Sequence, residues 1–382
     1  MARIIELVGS VRPDYVKLAP IVRALRAHGL SLEPRIVHAA RSYDAPVSAE
    51  LLEGLAVPGA NVYLEVPPGR AGESIPGILA AYERHLRSRG ERPWGLVVVG
   101  DADASIACAL AAVKQGVAVA HVEAGLRTFD RTMPEETHRV VTDAVASLCL
   151  VGEPMGESNL SREGVSARNI RLVGNATVDS LQYHLPAARA LDMPGRLGLE
   201  APYGYVTVHR STNIDDPVRL AELVGLLESL CEKMPLVFPV HPRTRSRLTQ
   251  FGLSPRLEAE PGVCVQSPLT YAENLGLLAS ATVVITDSSG IQDEASVLNV
   301  PCLTLLGNTE RSAATELGTS TLVGGSLERV PPLVDEALAG RAPQGRSVPL
   351  WDGRAADRIV YELVRAWGGS LPPSGAAGRP VR

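Results

Sequence analysis

Between Val97 and Arg139 the chain reads VVVGDADASIACALAAVKQGVAVAHVEAGLRTFDRTMPEETHR. Asp101, Asp103, Glu123, Glu135, Glu136 and His138 there fall at the ends of two apolar strands and at the start of the following helix. Open α/β sheets keep their chemistry at strand ends. A carboxyl crowded by others and partly desolvated can hold a proton near neutral pH, which suits it to general acid and base work. Acidic residues after a strand also cap helices, a role that fits any one of these residues better than all of them together.

Other strand-to-helix junctions offer groups for an anion. Asp287-Ser288-Ser289-Gly290 follows an apolar strand and opens a helix, so its hydroxyls and free amides suit a nucleotide phosphate or ribose. Helix capping by Asp287 or Ser288 would explain the same residues. Gly9-Ser10-Val11-Arg12-Pro13-Asp14 adds Arg12 and, nearby, Lys17 as anion partners, but lacks the Gly-x-Gly-x-x-Gly expected for NAD or FAD. The basic run from His241 to Arg247 is either an anion site or a solvated helix start, and its pattern favours the solvated face.

These residues need a frame. The chain has 382 residues, more than one typical domain and enough for two. Its formal net charge of −5 argues against a basic nucleic-acid-binding face. Cys108, Cys149, Cys231, Cys264 and Cys302 are widely spaced in apolar segments, as small core residues in a reducing compartment would be. No apolar run approaches the roughly 20 residues that cross a bilayer, and the first strand begins at Ile4 without a signal peptide. A soluble cytoplasmic protein, with neither nucleic-acid nor membrane partners, is the expectation.

Short aliphatic or β-branched runs at Ile4–Val8, Pro34–Val37, Asn61–Val66, Leu96–Val99, Val117–Val122 and Ile170–Val173 alternate with helical stretches. The alternation restarts with Tyr205–Val208, Leu236–Val240, Val263–Gln266, Thr282–Thr286 and Cys302–Leu306. This is the βαβ pattern of parallel sheets covered on both faces, and it predicts two Rossmann-like doubly wound α/β domains facing a cleft. The expected boundaries are 1–184 and 204–350, with a linker over Leu185–Tyr203. A helix over 354–368, apolar at Ile359, Val360, Leu363, Val364 and Trp367, is expected to pack back on the first domain, and 369–382 has the composition of a disordered tail.

Seven segments in order, RPDYVKLAP, GDADAS, HVEAGLRTFDRTMPEE, VHRSTNIDDP, FPVHPRT, DSSGIQDEA and NTERS, resemble the non-hydrolysing UDP-N-acetylglucosamine 2-epimerases. The resemblance implies the GT-B type of two-domain fold, a UDP-sugar substrate, no redox cofactor or metal, and a homodimer. It implies elimination of UDP across C1 and C2 to a 2-acetamidoglucal, followed by re-addition with the opposite configuration at C2. By the same resemblance Asp101, Glu123, Glu135 and His209 are catalytic. Arg12 and Lys17 would face the diphosphate, Ser288, Ser289 and Gly290 would receive phosphate, Glu294 would bind the ribose, and Arg210, His241 and Arg311 would contact substrate.

Departures from the family pattern gather near these positions. Ser10 replaces a glycine before the first arginine, and Arg41-Ser42 replaces a Gln-His ahead of Tyr43-Asp44, a loop that in some bacterial members helps bind an activating second UDP-sugar. GDADAS replaces a stretch rich in Asn, Ser and Thr, His138 stands for Asn, Ser289 stands for Gly, and Gly307 and Ser312 flank the NTER core. Changes grouped in this way retune substrate, so a hydrolysing 2-epimerase releasing UDP and N-acetylmannosamine, or an enzyme for a different nucleotide sugar, stand as alternatives.

Overall fold

The computed structural model describes residues 3–28, 32–39, 49–66, 74–88 and 90–368. The chain divides into two compact units, Met1–Ser180 with Asp352–Arg382, and Leu181–Trp351. The residues read as a tail, 369–382, lie outside the described residues.

The first unit is built on β1 (Arg3–Gly9), β2 (Leu32–His38), β3 (Val62–Tyr63), β4 (Gly95–Val99), β5 (Val119–Val122), β6 (Leu148–Val151) and β7 (Ile170–Leu172). They form one parallel sheet in the order β3-β2-β1-β4-β5-β6-β7. Every residue of β4, β5 and β6 is buried, as a sheet with helices on both faces requires. Strand β6 was not among the sequence expectations. Its Leu-Cys-Leu-Val is short and mostly not β-branched, and the pairing with β5 that sets Val122 against Leu150 makes it a strand. Of the run expected over Asn61–Val66, the strand β3 covers only Val62–Tyr63, on the sheet edge.

The second unit contains β8 (Gly204–Thr207), β9 (Leu236–Pro239), β10 (Val263–Gln266), β11 (Val283–Thr286), β12 (Cys302–Thr304) and β13 (Ser320–Leu322), all parallel, in the order β10-β9-β8-β11-β12-β13. Strand β13 was also missed, because Ser-Thr-Leu carries no apolar run to announce it. In each sheet the winding reverses beside the first strand, between β1 and β4 and between β8 and β11. Such reversals open a crevice at the carboxyl ends of the strands, where ligands of open α/β sheets bind.

The segment expected to be a linker is about half helical. One helix runs over Ala176–Ala190 and a short one over Met193–Arg196, with Ala188 and Met193 buried. Its Ala and Leu favour helix, which outweighed the Pro and Gly read as linker composition.

The helix Ala355–Ala366 belongs to the first unit. It buries Ile359, Val360, Leu363 and Val364, and Trp367 meets Trp94 edge-on with ring centroids 5.6 Å apart. A Cβ on Gly95 would lie 2.2 Å from the Trp367 ring, so glycine starts β4 for reasons of space. The first-turn amides of Ala355 and Ala356 donate to the Asp179 carboxylate at 3.0 and 2.8 Å.

Burial pushes the Asp179 carboxyl up to about 6, against the pull of those amides. Because the folded value exceeds the unfolded one, the stability this group contributes is present below about pH 4 and is lost as pH rises through about 6. Asp179→Asn is therefore expected to gain stability relative to wild type between pH 4 and pH 7, by about 2–3 kcal/mol. Urea unfolding across that range checks it, and a pH-independent difference would contradict the assignment.

Candidate active site

In the first unit the expected carboxylates stand at the crevice. Glu123 directly follows β5 in a left-handed conformation at φ 70°, and is buried at 4% exposure. A non-glycine residue there is strained, a condition that surrounding structure must hold in place. The Lys17 ammonium does so by pairing with the Glu123 carboxylate. Gly100, at φ 62° after β4, lies against that pair, and a Cβ on it would meet Lys17 Nζ at 3.0 Å. Lys17, expected on a diphosphate, is thus held on a catalytic candidate of its own unit.

Asp101 follows Gly100 and accepts from Arg139. Arg139 also donates to Glu136 at 2.7 Å, and Glu136 accepts from Thr128 N and Oγ1 at 2.9 Å and from Phe129 N at 3.0 Å. Burial opposes ionisation of Glu136, but Arg139 and Thr128 outweigh it and hold the carboxyl below its usual range. Glu136 is thereby occupied with loop structure. Glu135 is exposed in the same first turn of the helix Pro134–Val145. His138 donates through Nδ1 to the Asp101 carbonyl at 2.9 Å and lies 3.9 Å from Asp103.

Arg12 is the first residue of the helix Arg12–Ala27. The amides of the turn before it are taken up within the turn. Asp14 accepts from Ser10 N at 2.8 Å, Ser10 Oγ at 2.9 Å and Val11 N at 3.1 Å. Burial raises the Asp14 carboxyl despite those bonds and Lys17. Arg41 and Ser42 lie outside the described residues.

In the second unit His209 and Arg210 follow β8, His241 follows β9, Ser288, Ser289 and Gly290 follow β11, and Arg311 follows β12. The switch point thus gathers groups spread over more than a hundred positions of the chain. Arg210 donates to Ser289 Oγ at 2.8 Å, and Arg311 pairs with Asp293 at 3.1 Å. Buried Glu310 lies 4.0 Å from Arg210 and 3.8 Å from Arg311. The cap position of the helix Ser289–Leu298 is Ser288, whose side chain makes no cap bond, and a Cβ on Gly290 would meet open space. Glu294 in that helix accepts from the Tyr271 hydroxyl at 2.9 Å.

The His241 ring caps the helix Pro242–Gln250, accepting at Nδ1 from Arg243 N at 3.2 Å, and lies 5.2 Å from the His209 ring. Arg243 and Arg247 pair with Asp215, and Arg245 pairs with Glu258, so the basic run is a solvated, ion-paired helix start.

Two groups of polar residues escaped the sequence reading. His121 in β5 faces Asp143 Oδ1 at 2.6 Å and the Gly100 carbonyl at 2.8 Å, while Asp143 also binds Gly125 N at 3.0 Å and Arg127 at 2.7 Å. Burial opposes the Asp143 charge, but His121 and Arg127 hold its carboxyl below the usual range. A histidine amid valines in a buried strand was the available signal, since buried polar groups take partners. The other is Asp287, read above as a cap, which instead binds the chain after β8.

Comparison with known proteins gives these loops a family. The UDP-N-acetylglucosamine 2-epimerase family profile matches residues 23–364. The UDP-N-acetylglucosamine 2-epimerase of Methanocaldococcus jannaschii is 34% identical over 367 residues, 94% of this chain and 98% of that protein. The UDP-2,3-diacetamido-2,3-dideoxy-D-glucuronate 2-epimerase of Pseudomonas aeruginosa is 32% identical over 368 residues, 95% of this chain and 99% of that protein. The crystal structure of the M. jannaschii enzyme in complex with UDP-GlcNAc and UDP superposes with a TM-score of 0.85 at 33% identity, covering 95% of this chain and 99% of that one. Similarity of this extent in both sequence and fold makes the chain a member of the UDP-N-acetylglucosamine 2-epimerase family.

Proposed function

We propose that the protein inverts C2 of a UDP-linked 2-acetamido sugar, converting UDP-GlcNAc to UDP-ManNAc by elimination and re-addition of UDP. A base takes the C2 proton, that electron pair forms the C1–C2 double bond, and the C1–O bond breaks as UDP leaves with its electrons. UDP then re-adds at C1 of the 2-acetamidoglucal while a proton reaches C2 from the opposite face. The net change is an isomerisation and calls for no electron acceptor.

The observation that carries this reading is the pair of strand-end carboxylates, Asp101 and Glu123, each held by a cation, with Glu123 on left-handed backbone, in a chain of this family. In the proposal Asp101, Glu123, Glu135 and His209 share the proton transfers. The uncapped helix start at Ser288, Ser289 and Gly290, with Arg12, Arg210, His241 and Arg311, receives the diphosphate, and Glu294 receives the ribose hydroxyls. Lys17 neutralises Glu123 until substrate arrives and then serves the departing diphosphate.

A second reading, a 2-epimerase for a UDP-sugar bearing further substituents, draws on the similarity to the P. aeruginosa enzyme and on Asp103 and His138 beside Asp101. One experiment separates these readings from the hydrolysing alternative. Proton and phosphorus NMR of UDP-GlcNAc incubated with the protein in deuterated water is expected to show UDP-GlcNAc and UDP-ManNAc, both deuterated at C2. Free UDP with N-acetylmannosamine would assign the hydrolysing reaction, and an unlabelled, unchanged sugar would point to the differently substituted substrate.

A further inference from the structure

We propose that Asp287 is the positioning residue for His209, holding the chain after β8 and turning the imidazole so that Nε2 is the nitrogen left to work on substrate. The inference rests on the reading of His209 as an active-site group and assigns it a partner.

Asp287 follows β11 and is fully buried. Strands β8 and β11 are neighbours across the switch point, with Thr207 paired to Thr286, so the residues that follow them meet. The helix Ser289–Leu298 begins two residues later, yet Asp287 is committed elsewhere. It accepts from His209 N at 3.0 Å, from Arg210 N at 2.9 Å and from Asn213 Nδ2 at 3.0 Å. Burying a carboxylate is costly unless charge-assisted bonds offset it, and these donors supply them.

The same carboxylate lies 3.4 Å from His209 Nδ1. That contact is an ion-pair distance without hydrogen-bond alignment, and the carboxylate charge there favours the tautomer with its proton at Nδ1, which leaves the Nε2 lone pair available. The other charged groups around the ring are Arg210 and Arg243, and the His241 ring lies beside it. Burial holds the His209 ring below its ordinary value and both arginines add to that, while Asp287 alone pulls the other way. Its removal therefore lowers the protonation pH of His209 further.

The test uses the whole protein and the variants Asp287→Asn, His209→Gln and their double. Nitrogen-15 NMR of the ligand-free wild type is expected to show His209 protonated at Nδ1, with Asp287→Asn moving protons toward Nε2 and lowering the titration midpoint. In the isotope-exchange assay Asp287→Asn is expected to lose about 10–100-fold in kcat, with UDP affinity within about threefold. Added to His209→Gln, the same change is expected to cost less than about threefold more, because a group acting through His209 has nothing left to act on.

Wild-type His209 protonated at Nε2, or losses that simply multiply in the double variant, overturn the proposal. If Asp287→Asn does not fold, the wild-type tautomer decides. The tautomer is read without any sugar, so a protein that shows Nδ1 protonation but turns over no UDP-sugar sinks the proposed activity while leaving the Asp287–His209 pairing in place.

Discussion

Glu135→Gln is expected to lower deuterium exchange at C2 by about 10²–10⁴-fold, the usual span for a lost general acid or base, while UDP affinity stays within about threefold. The carboxamide keeps the shape of the side chain but can neither take nor return a proton. The loop itself should survive, because Glu136, not Glu135, binds Thr128, Phe129 and Arg139. Rates from NMR and affinities from calorimetry measure the two effects separately. Unchanged exchange would remove Glu135 from the catalytic set, and lost UDP binding would make it a binding residue instead.

Arg127→Met is expected to destabilise the first unit by about 3–5 kcal/mol, the range found when one partner of a buried pair is removed. The Arg127 side chain is 1% exposed and donates to Asp143 at 2.7 Å and to Glu163 at 2.8 and 2.6 Å. Asp143, equally buried, would keep His121 and Gly125 N but lose its guanidinium. Since His121 also holds the Gly100 carbonyl beside Asp101, exchange activity should fall with stability. Trp94 and Trp367, in contact within this unit, report its urea unfolding by fluorescence. A loss below about 1 kcal/mol would mean that the remaining partners suffice to hold the Asp143 charge.

The two doubly wound sheets and the strand-end position of the candidate residues were legible because both are local properties. A continuous apolar run marks β4 and a period-3.6 apolar pattern marks the helix Ala355–Ala366 without reference to distant residues, and a strand followed by Gly-Asp or Asp-Ser-Ser-Gly announces a junction. The family motifs likewise survive in the linear sequence. Strands β6 and β13 were not legible, since Leu-Cys-Leu-Val and Ser-Thr-Leu become strands through the neighbours that pair with them.

By itself, then, the sequence determined the fold class and the family, and it offered a set of candidate residues. Tertiary structure decided how those residues are employed. Lys17 on Glu123, Asp14 on the turn at Ser10, Asp287 on the chain after β8, and Asp179 capping a helix far along the chain all depend on which strand ends and helices become neighbours. A buried polar group must be satisfied by whatever donors packing brings to it, and that choice is made by sheet order and burial rather than by spacing along the chain.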